Sequence, residues 1–290
     1  MNGAYPNEIM KLLHERASCR SFKEEPVPDE TLAAVLTAAA HAATGGNLQP
    51  YSVIKVLDPE VRQRLTTLCG DQPFIGQAPV NLVFCIDFHR LERWAALENA
   101  PFSARRAFRH FWISFQDVII CAQTVCTAAN AMGLGAVYVG TVLECLEELR
   151  DLLKLPTGVF PVVMVCLGYP KGQLAPRRKL GVDVVVHDET YREMTDEELL
   201  RAYGEKYGGQ TFEATPERVD SIARAWREVH GDDYAEEFLA RVKRDGHVNM
   251  AQRVFGLNYP ADEMPRRNRY IMGAARNAGF DWFDQGSEEQ

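Results

Sequence analysis

Two runs of almost purely apolar residues constrain the fold most strongly. Residues 80–87 read Val-Asn-Leu-Val-Phe-Cys-Ile-Asp, and residues 160–168 read Phe-Pro-Val-Val-Met-Val-Cys-Leu-Gly. A strand that is covered on both faces has this continuous pattern, whereas a strand with one wet face alternates. Further short strand patterns at 52–57 and 136–139 are separated by helical patterns. The sequence therefore predicts a layered α/β or α+β domain around a central sheet.

The longest helical pattern runs from about Ala104 to Met132, and Gly133 ends it. Its second half is apolar almost all round, which predicts a central, buried helix. The residues that recur at three- and four-residue steps are Trp112, Phe115, Ile119, Ala122, Val125, Cys126 and Ala129.

Composition excludes several partners. The chain has 290 residues and a formal net charge of -8, which argues against a nucleic-acid-binding surface, since such surfaces carry a basic excess. The longest clean apolar run, residues 159–167, is too short to span a bilayer, so we expect no membrane partner.

The cysteines and histidines indicate the compartment and argue against a metal site. None of the seven cysteines forms a C-x-x-C pair, so we interpret them as reduced, buried thiols and expect a cytoplasmic protein. The seven histidines show no H-x-x-x-H pair beside a carboxylate, so no metal site is predicted.

The composition shifts after Gly209. Residues 216–280 look helical, charged and poor in strands. We therefore predict a main domain at 1–209 and a helical extension at 210–290, which packs on the core or on a partner subunit.

The stretch Arg16-Ala17-Ser18-Cys19-Arg20 is the first of four pieces that suit one ligand. Arginine suits phosphate because its planar fork donates two parallel hydrogen bonds and keeps its charge. In an extended backbone, residues 16, 18 and 20 point the same way. The alternative is a pair of solvated surface arginines.

Two glycine-containing turns are the second and third pieces. Gly45–Pro50 could bring backbone close to a flat ligand, with Asn47 and Gln49 offering amides, or it could simply end a helix. The stretch 133–140 reads Gly-Leu-Gly-Ala-Val-Tyr-Val-Gly, but Tyr138 stands where a dinucleotide fingerprint needs glycine, and the stretch follows a helix instead of a strand. We reject that fingerprint and retain a turn that exposes backbone N–H groups.

The fourth piece is the cationic run Pro176-Arg177-Arg178-Lys179, which could close on the same phosphate or remain a solvated loop. No serine, cysteine or carboxylate pair stands in a recognisable nucleophile or acid–base setting, so no catalytic side chain is predicted.

Taken in order, these motifs resemble the FMN-dependent nitroreductase family, nearest its larger NADPH-linked branch of nitroreductases and flavin reductases. The resemblance covers about residues 5–207. It implies a three-layer α+β fold, with a central, mainly antiparallel sheet flanked by helices. It also implies a homodimer with FMN at the subunit interface and NADPH or NADH as the reductant.

The resemblance also assigns cofactor contacts. It places Arg16, Ala17, Ser18 and Arg20 at the phosphate and ribityl side of FMN, with Arg177 and Lys179 closing on the phosphate. The ring and ribityl groups would meet Asn47, Gln49 and Gln72, and the reactive edge would meet the backbone at Tyr138, Val139 and Gly140. Some of these contacts would come from the partner subunit.

This chain departs from the family pattern in two places. Ala17 replaces a common arginine, and Thr141 replaces a frequent glycine, which could narrow the space over the ring. The implied function is a two-step transfer of hydride from NAD(P)H, through flavin, to nitroaromatics, quinones or free flavins. The alternatives are a flavin-dependent dehalogenase or dehydrogenase on this fold, and a flavin-binding regulatory module without turnover.

Overall fold

The computed structural model describes residues 5–283, and the chain divides into two compact units. The first unit contains the chain up to Pro176 together with the residues from Ile271 onward, and the second contains Arg177–Tyr270. The boundaries between these units follow Pro176 and Tyr270, whereas the predicted domain boundary follows Gly209. The domain assignment therefore stays a prediction.

The first unit is built on a four-stranded sheet with the order β1-β2-β4-β3. Each neighbouring pair is antiparallel, and every residue of the two central strands, β2 and β4, is buried. The apolar runs thus form the middle of the sheet, and the predicted antiparallel architecture is confirmed. The strands are β1 (Tyr51–Val56), β2 (Val80–Asp87), β3 (Gly135–Val139) and β4 (Val159–Gly168).

Helices cover both faces of this sheet. The long α6 packs against all four strands and against α2, while a buried cluster on the other face joins the sheet to α3, α4 and α7. The helices of this part of the chain are α1 (Glu8–Glu15), α2 (Asp29–Ala40), α3 (Pro59–Leu68), α4 (Pro73–Gln77), α5 (Phe88–Leu97), α6 (Phe108–Ala131) and α7 (Leu146–Leu152).

The long helix begins at Phe108, later than its apolar pattern predicts, because a 3-10 turn at Ala104–Arg106 precedes it. One side is buried, including Val118, Cys121, Ala122 and Val125, but Phe108 and Trp112 near its start are about half exposed. The prediction of a buried helix therefore holds for one side only. Among the described residues, this is the one helix long and apolar enough to cross a membrane, a test that core helices of soluble proteins also pass.

The N-terminal segment lies along the edge strand β3. Cys19 N donates to Ala136 O at 3.0 Å, and Ser18 forms a parallel bridge with the same residue. Gly135 makes this approach possible, since a Cβ built there would lie 2.5 Å from Cys19 Cβ and 2.7 Å from its Sγ. Fully buried Cys19 thus anchors the segment that carries the arginine motif.

The second unit is mainly helical, with a two-stranded antiparallel sheet. Its small apolar core is formed by Ile222, Ala223, Phe238, Val242 and Val248. Its elements are α8 (Val182–Val185), α9 (Asp196–Tyr207), β5 (Thr211–Glu213), α10 (Pro216–His230), α11 (Asp232–Asp245), β6 (His247–Asn249) and α12 (Met250–Arg253). The last helix, α13, is Asn268–Asn277. Phe280 follows this helix and belongs to the first unit, where it is buried in a ring cluster with Phe88, Phe111 and Phe160.

Gly135→Ala should destabilise the protein, because the new methyl group would overlap Cys19. We expect a loss of about 1–3 kcal/mol in the free energy of unfolding, measured by chemical denaturation. Gly172→Ala is the matched control, since its Cβ would meet no atom within 4 Å and should change stability by less than about 0.5 kcal/mol. Equal stability of the two variants would show that Cys19 and Gly135 are not in close contact.

Candidate functional site

The arginine motif lies exposed along the β3 edge, on either side of a buried anchor. Ser18 and Arg20 are exposed, while Cys19 between them is fully buried, which is the alternation of an extended backbone. The guanidinium of Arg20 lies over the ring of Phe74, 6.0 Å from its centroid. Neighbouring Ala17 is half-buried and presents no polar side chain.

Arg16 is the most unusual group at this edge. Its Nε and Nη2 atoms are buried and have no hydrogen-bond partner among the described residues. Such donors are costly to leave unpaired, especially when they are charged. Arg16 and Ala17 border a cavity of about 530 Å³ whose wall also includes Lys11 and two carboxylates, Glu8 and Glu15. This cationic group is therefore suited to an anionic ligand.

Tyr138 completes the surroundings of Arg16. Burial raises the pKa of the Tyr138 phenol, the nearby Cys126 adds to the rise, and the positive charge of Arg16 opposes it. Its hydroxyl donates to Gln123 Oε1 at 3.4 Å. The phenol is thus held neutral beside Arg16, so that it does not neutralise the guanidinium.

The end of β3 holds a polar network. Gln72 Nε2 donates to Cys69 O at 2.8 Å and to Thr141 Oγ1 at 3.0 Å, and the Thr141 hydroxyl donates to Cys69 O at 3.1 Å. Val139 is buried, whereas Gly140 is exposed, and a Cβ there would meet nothing within 4 Å. The backbone at Gly140 is therefore open to a ligand, with the Gln72 amide fixed nearby.

Asn47 and Gln49 lie at the other edge of the sheet, in the turn before β1. Both have positive φ, at 56° and 48°, so the turn needs external support. Gln49 Nε2 donates to Ala40 O at 2.9 Å. Asp117 Oδ1 accepts from Gly45 N at 3.0 Å, and Arg90 Nη2 donates to Gln49 O at 2.6 Å and to Tyr51 O at 2.8 Å.

The predicted contacts therefore form three groups. Eight residues lie at or near the β3 edge, and two lie at the β1 edge, three strand spacings away, or about 14 Å. Arg177 and Lys179 are exposed in the second unit. There Lys179 borders a cavity of about 210 Å³ near the ion pairs Arg178–Glu205 and Arg192–Glu198. The assignment of all twelve as cofactor contacts stays a prediction.

Sequence reasoning missed the residues that support the β1 turn. Asp117 is a carboxylate on the buried side of an otherwise largely apolar helix, and that contrast is the signal that could have identified it. Arg90 follows Asp87, which caps α5 by accepting from Arg90 N, but nothing local indicates that its side chain reaches back to Gln49 and Tyr51.

Comparisons with known proteins agree with this fold. Residues 13–169 match the nitroreductase family. The FMN reductase (NAD(P)H) of Bacillus subtilis is 35% identical over 241 residues, which cover 82% of this chain and 95% of the relative. The oxygen-insensitive NADPH nitroreductase of Salmonella typhimurium is 34% identical, over 68% of this chain and 80% of that protein. The solved structure of B. megaterium NfrA2 has a TM-score of 0.72 and 27% identity, with coverage of 94% and 98%.

Arg90→Met should loosen the turn at 45–51, because two carbonyl groups lose a charged donor. Hydrogen exchange at the Tyr51 amide, which donates to Gln49 O, should quicken by about tenfold or more. Arg93→Met, an exposed change on the same helix, is the control and should leave that amide unaffected. The same exchange rate in both variants would show that Arg90 does not support the turn.

Proposed function

Because the chain belongs to the nitroreductase family, we propose that it is an FMN-dependent oxidoreductase that uses NAD(P)H to reduce small molecules such as nitroaromatics, quinones or free flavins. The observation that supports this most directly is the pair of buried Arg16 donors, Nε and Nη2, which have no hydrogen-bond partner among the described residues. Buried donors of a charged group are costly to leave unpaired. A phosphate would supply both charge and acceptor atoms.

The residues of the β3 edge suit FMN. Arg16, Ser18 and Arg20 would hold the phosphate, while the assignment of Arg177 and Lys179 to it stays a prediction. Gln72 would donate or accept at the polar edge of the ring, since its amide can do both. The open backbone at Gly140 would allow a flat ring to approach closely.

FMN, when bound, supplies the redox chemistry between NAD(P)H and the acceptor. The protein's share of the work is binding, orientation and electrostatics. N–H donors and positive side chains along the β3 edge favour negative charge, so they would stabilise the charge that develops on reduction. This division of labour agrees with a chain in which no acid–base pair is predicted.

We also propose a homodimer, with Asn47 and Gln49 supplied to each site by the second copy. Those residues lie at the β1 edge, while the arginine motif lies at the β3 edge. The half-exposed Phe108 and Trp112 on α6 are apolar groups that a second copy could cover. Symmetric pairing would then complete two equivalent sites.

A cytoplasmic location is the remaining proposal. All seven cysteines are buried and free, as expected for a chain kept in a reducing compartment.

The purified protein should carry flavin, and its visible absorbance should bleach when NADPH or NADH is added without oxygen. Arg16→Ala should weaken FMN binding by about 10–100-fold, because a charge-assisted contact to phosphate is lost. Lys11→Ala removes a cation from the same cavity and should have a much smaller effect, measured by fluorescence titration of the FMN-free protein. If the purified protein takes up no FMN when FMN is added, the proposed function is wrong.

Subunit complementation tests the shared site. Arg16→Ala and Asn47→Gly should each be nearly inactive, and glycine tolerates the positive φ at position 47. Random mixing of the two chains should restore about a quarter of the wild-type activity, because half of the dimers are mixed and each has one intact site. A mixture no more active than its components would place Arg16 and Asn47 in the same chain's site.

A further inference from the structure

A cavity of about 420 Å³ lies in the first unit beside the Gly45 turn. Its wall is formed by α5, by the segment 98–104 that follows it, and by the face of α6 that carries His110, Ile113, Ser114 and Asp117. This volume lies within the range of small-molecule binding pockets, about 300–1,000 Å³.

The wall of this cavity is mostly apolar and partly aromatic. Phe88 and Phe102 meet edge to face with their centroids 6.1 Å apart, and Leu91, Trp94 and Ile113 add further apolar surface. Aromatic side chains favour offset or edge-to-face contact with another ring. The wall therefore suits a flat, aromatic ligand.

Asp117 supplies a polar group in this wall. The residue is 3% exposed, and its Oδ1 accepts from Gly45 N at 3.0 Å. Its Oδ2 is buried and has no partner among residues 5–283. Burial raises the pKa of this carboxyl, and the Gly45 N–H opposes the rise. A donor placed against Oδ2 would remove the cost of an unpaired buried oxygen.

The charged side chains around the cavity favour a ligand of positive charge. The other titratable side chains that border it are Glu98 and His110, and no lysine or arginine of the described chain does so. An anionic ligand would meet the Asp117 carboxylate without a compensating cation. A cationic donor would meet an attractive field.

We propose that this cavity binds a planar aromatic ligand that carries an amidine or amine group. The ring packs among Leu91, Phe102 and Ile113, and the N–H group donates to Asp117. The walls of the cavity supply these contacts, and one wall is the Gly45–Pro50 turn that also carries Asn47 and Gln49.

Benzamidine and benzoate form a matched pair of probes, because they share a ring and differ in charge. In calorimetric titrations of the purified full-length protein, benzamidine should bind once per chain. Benzoate should bind at least about tenfold more weakly, as a charged hydrogen bond is replaced by repulsion.

Three variants test whether benzamidine binds in this cavity. Asp117→Asn keeps an acceptor for Gly45 N–H but removes the charge, and it should weaken benzamidine binding by about tenfold or more. Asp151→Asn makes the same chemical change on the exposed side of α7 and should bind as the wild type does. Ala100→Trp fills the cavity from an exposed position and should abolish binding while the fold is kept.

Benzamidine that fails to bind, or that binds Asp117→Asn and Ala100→Trp as tightly as wild type, would overturn the proposal. If Asp117→Asn does not fold, as judged by circular dichroism, Ala100→Trp and the benzoate comparison decide. Flavin loading and bleaching are measured separately. Hence benzamidine binding to a protein that takes up no FMN would refute only the proposed function, and a flavoprotein that does not bind benzamidine would refute only this inference.

Discussion

The unpaired edge of β3 is the constraint on which the candidate site depends. An edge strand presents backbone N–H and C=O groups that need partners. Here the chain covers the edge with its own N-terminal segment, through the bond from Cys19 N to Ala136 O. Gly135 leaves room for Cys19, so the anchor is buried and its neighbours Ser18 and Arg20 are exposed. Backbone pairing thus determines where the arginines lie, before any ligand contributes.

Two buried donors of Arg16, Nε and Nη2, have no hydrogen-bond partner in this arrangement of the described residues. Glu8 and Glu15 lie in the wall of the same cavity, but neither is hydrogen-bonded to these donors. The closer surroundings of the guanidinium include the neutral Tyr138 phenol and the Cys126 thiol, both with pKa values raised by burial. Neutral neighbours preserve the positive field that a bound anion would need, whereas an ion pair would cancel it.

The sequence predicted the elements whose signals are local. The apolar runs became β2 and β4 because continuous burial shows directly in composition. The late start of α6 was missed, since the 3-10 turn at Ala104–Arg106 interrupts a helix whose apolar pattern continues. Arg90 and Asp117 were missed because their roles depend on carbonyl and amide groups that are distant in the chain and meet only after folding.

Gln49 shows why chemistry read from sequence is incomplete even when the residue is well chosen. Its amide can both donate and accept, which made it a plausible ligand contact. In the structure, its Nε2 is committed to Ala40 O, and its backbone carbonyl is committed to Arg90. These bonds stabilise a turn that contains two non-glycine residues with positive φ, so the Gln49 amide N–H supports the backbone and is not available to a ligand.

The groups of this turn that remain available to a ligand are the Gln49 Oε1 acceptor and the neighbouring Asn47, which lies exposed at the tip of the turn. The turn therefore presents a hydrogen-bond acceptor to a donor that lies beyond the β1 edge. The proposed site, shared between two copies, requires this arrangement.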